Sequence, residues 1–361
     1  MAKTDFYPLM VSDVRKETKD CVSVAFDIPS DAGEYFNFTP GQYITFKYMH
    51  EGEELRRSYS ICSAPYEGEL RVAIKKVDGG IFSTFANEKL AIGDVLETMP
   101  PMGNFTTEIV ASNDKNYVAF AAGSGITPVI SILKTVLQEE PESSFTLIYG
   151  NKEFQSIVFR EEIEALKNKH LNRLQVIHVL SRERLESEIN CGRIDQEKCD
   201  ALCQSLLSID TIDKAFICGP EAMIHSVKDF LLDKGMDKSN VKFELFTSSA
   251  PLGNKTTVKA VQNVDDSELC DITVKVDDRT FDLKLAYDGF TILDAALSKG
   301  ADLPYACKGG VCCTCKCKVI EGEVEMEVNY ALEDEEVAEG YVLSCQAHPK
   351  TKKVVVDFDV S

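Results

Sequence analysis

Five cysteines, Cys307, Cys312, Cys313, Cys315 and Cys317, fall within eleven residues of this 361-residue chain. Three of them, Cys307, Cys312 and Cys315, are spaced C-x4-C-x2-C, and Cys345 follows after 29 intervening positions. Gly309 and Gly310 let the loop curl and aim its amides at sulfur. Thiolates gathered in this way hold iron or zinc. A zinc set of Cys312, Cys315, Cys345 and His348 leaves Cys307 and its glycines unexplained. A four-iron run needs C-x2-C-x2-C, and Lys318 stands where its third cysteine belongs. Buried inert cysteines occur singly rather than in such a cluster.

Two further groups of residues could do chemistry. In Arg57-Ser58-Tyr59-Ser60 the guanidinium suits a pyrophosphate, the phenol ring a flat conjugated ring, and Ser60 adds a hydroxyl. Gly79-Gly80-Ile81-Phe82-Ser83 follows it as a second glycine turn. Gly123-Ser124-Gly125-Ile126-Thr127-Pro128 joins an apolar strand, Tyr117 to Ala122, to a helical pattern running from Pro128 to Glu139. Amides at such a helix start favour an anion, and Pro128 reads as the first helical residue. Ser181-Arg182 ends one later apolar strand, Cys218-Gly219-Pro220 ends another, and Glu244 lies in a third. Each signal alone is weak, because glycine turns join strands to helices everywhere.

The elements that must position these groups change in texture along the chain. Up to about residue 110, short β-rich runs such as Cys21 to Ile28, Tyr43 to Tyr48 and Leu70 to Val77 alternate with Pro and Gly turns, the pattern of a barrel or sandwich. From there to about 247, apolar strands alternate with helical segments, which predicts a parallel sheet covered on both faces. A stretch without acidic residues, Thr247 to Val264, reads as a linker. The segment from Asp265 onward carries 21 acidic and 10 basic residues, a net of −11 out of −20 for the chain. So acidic a protein is expected to bind neither nucleic acid nor an anionic membrane. No run of about 20 apolar residues is present, so no membrane span is expected. The first residues lead into no apolar leader and the 13 cysteines are odd in number and unevenly placed, so a cytoplasmic, reducing setting is expected rather than a disulfide framework.

The cysteine loop, with Leu303-Pro304-Tyr305-Ala306 before it and Asp288 to Ala296 upstream, resembles the plant-type 2Fe-2S ferredoxins over about residues 269 to 360. There Thr291 reads as a helix N-cap. The R-x-Y-S motif, preceded by Phe38-Thr39-Pro40-Gly41-Gln42, resembles the flavin half of the ferredoxin–NADP reductase superfamily. The G-x-G-x-x-P turn, Ser181-Arg182, Cys218-Gly219-Pro220 and Glu244 resemble its nucleotide half. In this order they resemble, over essentially the whole chain, the reductase components of multicomponent oxygenases. The resemblance implies an antiparallel β-barrel flavin domain (1–110), an α/β parallel-sheet nucleotide domain (111–247), a linker (248–266) and an α+β, β-grasp ferredoxin domain (267–361). It implies FAD held by Arg57, Ser58, Tyr59, Ser60, Gly80, Phe82 and Ser83. NADPH, with NADH as the alternative donor, is held by Gly123, Gly125, Thr127, Pro128, Ser181, Arg182, Cys218 and Gly219. Ser60, Cys218 and Glu244 serve the hydride step, and Cys307, Cys312, Cys315 and Cys345 ligate the 2Fe-2S cluster. Electrons then pass from nicotinamide to flavin to cluster to a terminal oxygenase. A stand-alone diaphorase or ferric reductase and a redox-sensing binding module are the alternatives.

Overall fold

The structure, a computed structural model, describes residues 5–246 and 269–360. The expected linker, 248–266, lies outside them. The chain divides into two compact units, Phe6–Phe246 and a C-terminal unit described from Leu269 onward.

The first unit holds two sheets. Its N-terminal strands are β1 (Tyr7–Thr18), β2 (Cys21–Asp27), β3 (Tyr43–His50), β4 (Glu53–Ser60), β5 (Leu70–Lys75) and, after helix α1 (Ile81–Glu88), β6 (Val95–Met102). They pair antiparallel in the order β4-β3-β6-β1-β2-β5. An isolated bridge from Ile61 to Val72 brings the two edge strands together, so the sheet curls into a barrel. Leu9, Val24, Ile44, Phe46, Ile74 and Phe82 fill its interior. α1 begins where a turn alone was expected, and Phe82 and Ala86 on its inner face explain it: they plug the barrel.

The second sheet is built from β7 (Asn116–Ala122), α2 (Ile126–Glu139), β8 (Ser144–Asn151), α3 (Arg160–Lys169), β9 (Leu174–Leu180), α4 (Gln196–Ser205), β10 (Lys214–Gly219), α5 (Glu221–Asp233) and β11 (Val241–Leu245). All its strands are parallel, in the order β11-β10-β7-β8-β9. The chain winds outward from β7 to β9, then returns to the other side of β7, so a topological switch point lies between β7 and β10. α2 begins at Ile126, two residues before the expected start. Pro128 is tolerated there because first-turn amides need no intrahelical acceptor. Residues 126–137 of this helix are all buried. One side faces its sheet; the other meets the barrel, where Ile132 Cδ1 lies 3.1 Å from the Cβ position of Gly41 and Ser131 bonds to Ser63.

The C-terminal unit comprises β12 (Leu269–Val276), β13 (Arg279–Ala286), α6 (Ile292–Ser298), β14 (Lys316–Glu321), β15 (Val324–Met326), α7 (Asp334–Ala338), β16 (Tyr341–Leu343), β17 (Ala347–Pro349) and β18 (Lys353–Asp357). A mixed sheet runs β13-β12-β18-β14-β16, with β12 and β18 parallel at its centre. α6 packs on it through Ile292, Leu293, Ala295 and Ala296. Thr291 is its N-cap, its Oγ1 accepting from the Asp294 amide at 3.3 Å.

Candidate functional site

The switch point gathers residues that are far apart in sequence. Ala121, Cys218 and Glu244 stand side by side on β7, β10 and β11. The Gly123–Gly125 turn and the Cys218-Gly219-Pro220 turn therefore leave the same sheet edge together. They touch: a Cβ on Gly125 would lie 2.0 Å from the Cys218 carbonyl oxygen, and one on Gly219 would lie 3.1 Å from the Cβ of Ala122. Only glycine lets the two turns approach this closely. The Thr127 hydroxyl donates to the Ser124 carbonyl at 3.0 Å, so its side chain closes the turn. The leading amides of α2 stand at this edge, the arrangement that suits a dinucleotide phosphate.

The barrel supplies the opposite wall. Ser60, the last residue of β4, donates its hydroxyl to Glu244 Oε2 at 3.1 Å across the domain boundary. The three residues expected to serve the hydride step are thus one cluster. Burial pushes the Glu244 carboxyl up to about 7, with the Ser60 hydrogen bond opposing it. Burial, then the neighbouring Glu244, holds the Cys218 thiol well above its ordinary value. Near neutral pH this corner presents a thiol, a hydroxyl and a carboxyl poised between its two forms, with little fixed charge. It is suited to receive a hydride donor, for which no general base is required.

Along β4, successive side chains alternate between faces. Arg57 and Tyr59 share one, with Tyr59 packed against Phe46 and Phe82 at ring distances of 6.0 and 5.7 Å. Ser58 lies on the other, its Oγ 2.9 Å from Thr45 Oγ1. Gly80 is the N-cap of α1, and the Ser83 hydroxyl accepts from the Val77 amide at 3.1 Å. Phe82 is a core residue, 1% exposed, its ring packed into the barrel interior rather than offered to a phosphate. Ser181 and Arg182 lie exposed just after β9, their amides bonded to the carbonyls of Asn151 and Lys152.

In the C-terminal unit the four expected cluster cysteines form one linked group. The sulfurs of Cys307 and Cys312 are 3.1 Å apart, and the Gly309 amide donates to Cys307 at 3.3 Å. Hydrogen bonds from Cys312 and Cys345 pull the Cys307 thiol far down, and one from Cys345 pulls Cys315 down. The donors Cys312 and Cys345 are raised in return. Lys308 adopts a left-handed φ of 51° and Gly310 one of 71°, so the curl of the loop falls on this pair. Cys317 lies outside the group, buried on β14 opposite Val342, and Cys313 is half-buried against the sheet core. His348, the remaining zinc candidate, instead pairs its Nε2 with Glu327 at 3.0 Å. Among the described residues no three His, Cys, Asp or Glu side chains surround a point that would hold a single ion. A two-iron cluster spreads its four thiolates over two metals. The donor set fits it.

The matches to known proteins follow the same division. Residues 8–107 match the oxidoreductase FAD-binding domain, 120–229 the oxidoreductase NAD-binding domain, and 274–350 the 2Fe-2S iron-sulfur cluster binding domain. The chain is 48% identical over 356 residues to a subunit of 1,2-phenylacetyl-CoA epoxidase from Escherichia coli K12, covering 99% of this chain and 98% of that one. It is 34% identical over 354 residues to the ferredoxin reductase component of 3-ketosteroid-9-alpha-monooxygenase from Rhodococcus rhodochrous, covering 97% and 96%. The chain belongs to the FAD- and 2Fe-2S-containing oxygenase reductases. Its fold matches that of phthalate dioxygenase reductase with a TM-score of 0.59 at 21% identity, covering 98% of both chains. It also matches a ferredoxin NADP+ reductase from Neisseria gonorrhoeae with bound FAD and NADP, with a TM-score of 0.56 at 22% identity over 68% of this chain. Among the described residues no helix is long and apolar enough to cross a membrane.

An oxygenase reductase must hold these groups with side chains that motif reading passes over. The Tyr149 hydroxyl, on β8, donates to the Gly123 carbonyl at 2.9 Å and fixes the glycine turn. The Lys75 ammonium, at the end of β5, lies 4.0 Å from the Cβ position of Gly123 and adds a cation from the barrel side. Ser344 and Gln346 flank Cys345. Ser344 Oγ donates to the Cys315 carbonyl at 2.9 Å and Gln346 Nε2 to the Lys308 carbonyl at 3.1 Å, which ties the fourth cysteine to the loop. None of the four has a spacing signal in the sequence, because each acts through its place in the fold.

Proposed function

We propose that this protein delivers electrons to the oxygenase component of a phenylacetyl-CoA epoxidase, that NADPH is the preferred donor, and that it works in the cytoplasm. The protein is an oxidoreductase of the electron-transfer type, using a nicotinamide nucleotide, FAD and a 2Fe-2S cluster. The end-to-end 48% identity to a component of that epoxidase carries the choice of acceptor. When bound, the nucleotide supplies a hydride, the flavin divides its electron pair, and the cluster takes electrons singly, at a potential near −400 mV for clusters of the plant type.

The chain's own residues have separable parts in this reading. Gly123, Gly125, Thr127 and Pro128 form the anion-binding edge, and Ser181 with Arg182 meet the nucleotide's far end. Cys218, Gly219, Ser60 and Glu244 line the corner where nicotinamide and flavin meet. Arg57, Ser58, Tyr59 and the start of α1 at Gly80, Phe82 and Ser83 hold the flavin side. Cys307, Cys312, Cys315 and Cys345 ligate the cluster.

Arg182 is exposed and can meet a 2′-phosphate. Replacing Arg182 by Ala is expected to raise the KM for NADPH about tenfold, the loss of one charge-assisted hydrogen bond, while leaving that for NADH unchanged. Equal effects on both nucleotides would remove the NADPH preference from this residue. The acceptor is tested by anaerobic NADPH titration followed by visible absorbance and EPR, then by adding the oxygenase component. Flavin and cluster bands should bleach, a rhombic signal should appear, and epoxidation of phenylacetyl-CoA should depend on the reductase. A second reading, supply to a 3-ketosteroid monooxygenase, is favoured by the 34% relative. Support of steroid 9α-hydroxylation but not epoxidation would establish it instead.

A further inference from the structure

α2 does two things at once. Its first turn forms the nucleotide edge, and its second half grips the barrel. Ser131 Oγ donates to the Ser63 carbonyl at 2.6 Å. Three residues on, and so on the same face of the helix, Lys134 Nζ donates to Glu67 Oε2 at 2.7 Å and to Glu162 Oε1 at 2.9 Å. Glu67 belongs to the barrel and Glu162 to α3 of the nucleotide sheet. Glu67 Oε2 also accepts from the Ala64 amide at 2.6 Å, so its own turn fixes the carboxylate in place. The stretch following Ser60 is therefore fastened to α2 at Ser63 and again at Glu67, while Ser60 itself bonds to Glu244 on β11.

The lysine is out of place in this helix by ordinary packing logic. Its side chain is 5% exposed, and the rest of α2 from Ile126 to Leu137 is buried and mainly apolar. A buried ion pair stabilises a fold no better than well-packed apolar residues of the same size. It does impose geometry, because a carboxylate must meet the ammonium at hydrogen-bond distance and in a fixed direction. A cleft of about 530 Å³ opens beside the pair, lined by Glu67, Lys134, Glu162, Arg71, Arg160 and Cys62. The boundary between the two domains is thus not filled by apolar packing at this place, and the ion pairs span it.

We propose that Lys134 and Glu67 form a clasp that sets the register of the barrel against α2, and through it the position of Ser60 relative to the nucleotide edge and Cys218. The proposal rests on the reading that Ser60, Cys218 and Glu244 surround the hydride step. Lys134 and Glu67 are positioning residues, since neither stands among the residues read as holding a cofactor. The paired carboxylates give a discriminating test. Glu67→Gln and Glu162→Gln each take one charge from the same ammonium, and both side chains are partly exposed, at 26% and 39%. Of these two carboxylates, Glu67 alone belongs to the barrel and links it to the helix.

The experiment compares the two variants as holoenzymes by stopped-flow reduction with NADPH and by amide hydrogen exchange. The expected result is that Glu67→Gln slows flavin reduction at saturating NADPH about tenfold with its half-saturating concentration unchanged, as a small misplacement of reacting groups does. Exchange should quicken at residues 61–68 and 123–130. Glu162→Gln should stay within about twofold of the native rate, with exchange changed only around α3. Two variants alike in both readouts would overturn the clasp and leave an ordinary stabilising pair. So would a Glu67→Gln protein that matches the native one in both. If the native protein is reduced by neither NADPH nor NADH, the reading of the hydride corner falls, and the exchange comparison still decides the clasp.

Discussion

At the scale of residues, Glu244 is the group whose chemistry is most sensitive to conditions. Its carboxyl titrates near 7 in the folded protein against an ordinary 4.5, because burial disfavours the anion. The folded state therefore holds a proton that the unfolded chain releases between these values, and this residue costs stability as pH rises through that window. Glu244→Gln is expected to unfold at a higher temperature than the native protein at pH 8. The advantage should vanish below pH 4.5, where both forms are uncharged. A Tm difference independent of pH would show that the carboxyl is not perturbed. Among the cysteines, Cys345→Ala should abolish the reduced-cluster EPR signal, whereas Cys313→Ala should retain it. Equal loss in both would place Cys313 in the ligand set. The grouping of Cys307, Cys312, Cys315 and Cys345, the proposed ligands, was legible from spacing, since four thiolates around two irons tolerate few arrangements. Lys75, Tyr149, Ser344 and Gln346 were not legible, because a lysine at a strand end or a serine beside a cysteine has no meaning until the fold assigns its neighbour.

At the scale of elements, the parallel sheet followed from its alternation of apolar strands and helices, and the strands at Tyr117, Leu174 and Lys214 lie where the pattern put them. The barrel was harder to read. The second half of β1 carries the partly or fully exposed charged side chains of Asp13, Arg15, Lys16 and Glu17, which mask its period of two. α1 is eight residues long, too short for a helical stripe to stand out from a β-rich neighbourhood. The contact between the two glycine turns yields a test at this scale. Gly125→Ala must push a Cβ into the Cys218 carbonyl and is expected to cost about 1–3 kcal/mol of stability and to weaken NADP+ binding. Gly33→Ala, with open space around it, is the matched control and should change neither. Calorimetry and equilibrium dialysis would read both quantities. Unaltered NADP+ affinity in Gly125→Ala would mean that the turns can part without harm to the site.

At the scale of the whole molecule, the division into two compact units predicts two unfolding transitions. Cofactor removal should separate them. Chelating the iron is expected to lower the transition of the C-terminal unit alone, and stripping FAD that of the first unit alone, because each group stabilises only the unit that binds it. Scanning calorimetry on the holo, iron-free and flavin-free forms would check this, and a single transition shifting as one under both treatments would contradict it. The closeness of Gly125 to Cys218 has a consequence for synthesis as well. The first turn is complete when β7 and the start of α2 have been made, but its floor is translated 93 residues later. At roughly 5–20 residues per second, the newborn chain spends about 5–20 s with half of the pocket proposed for the nucleotide. Nucleotide can therefore assist the maturation of this domain only after β10 has emerged and slotted in beside β7.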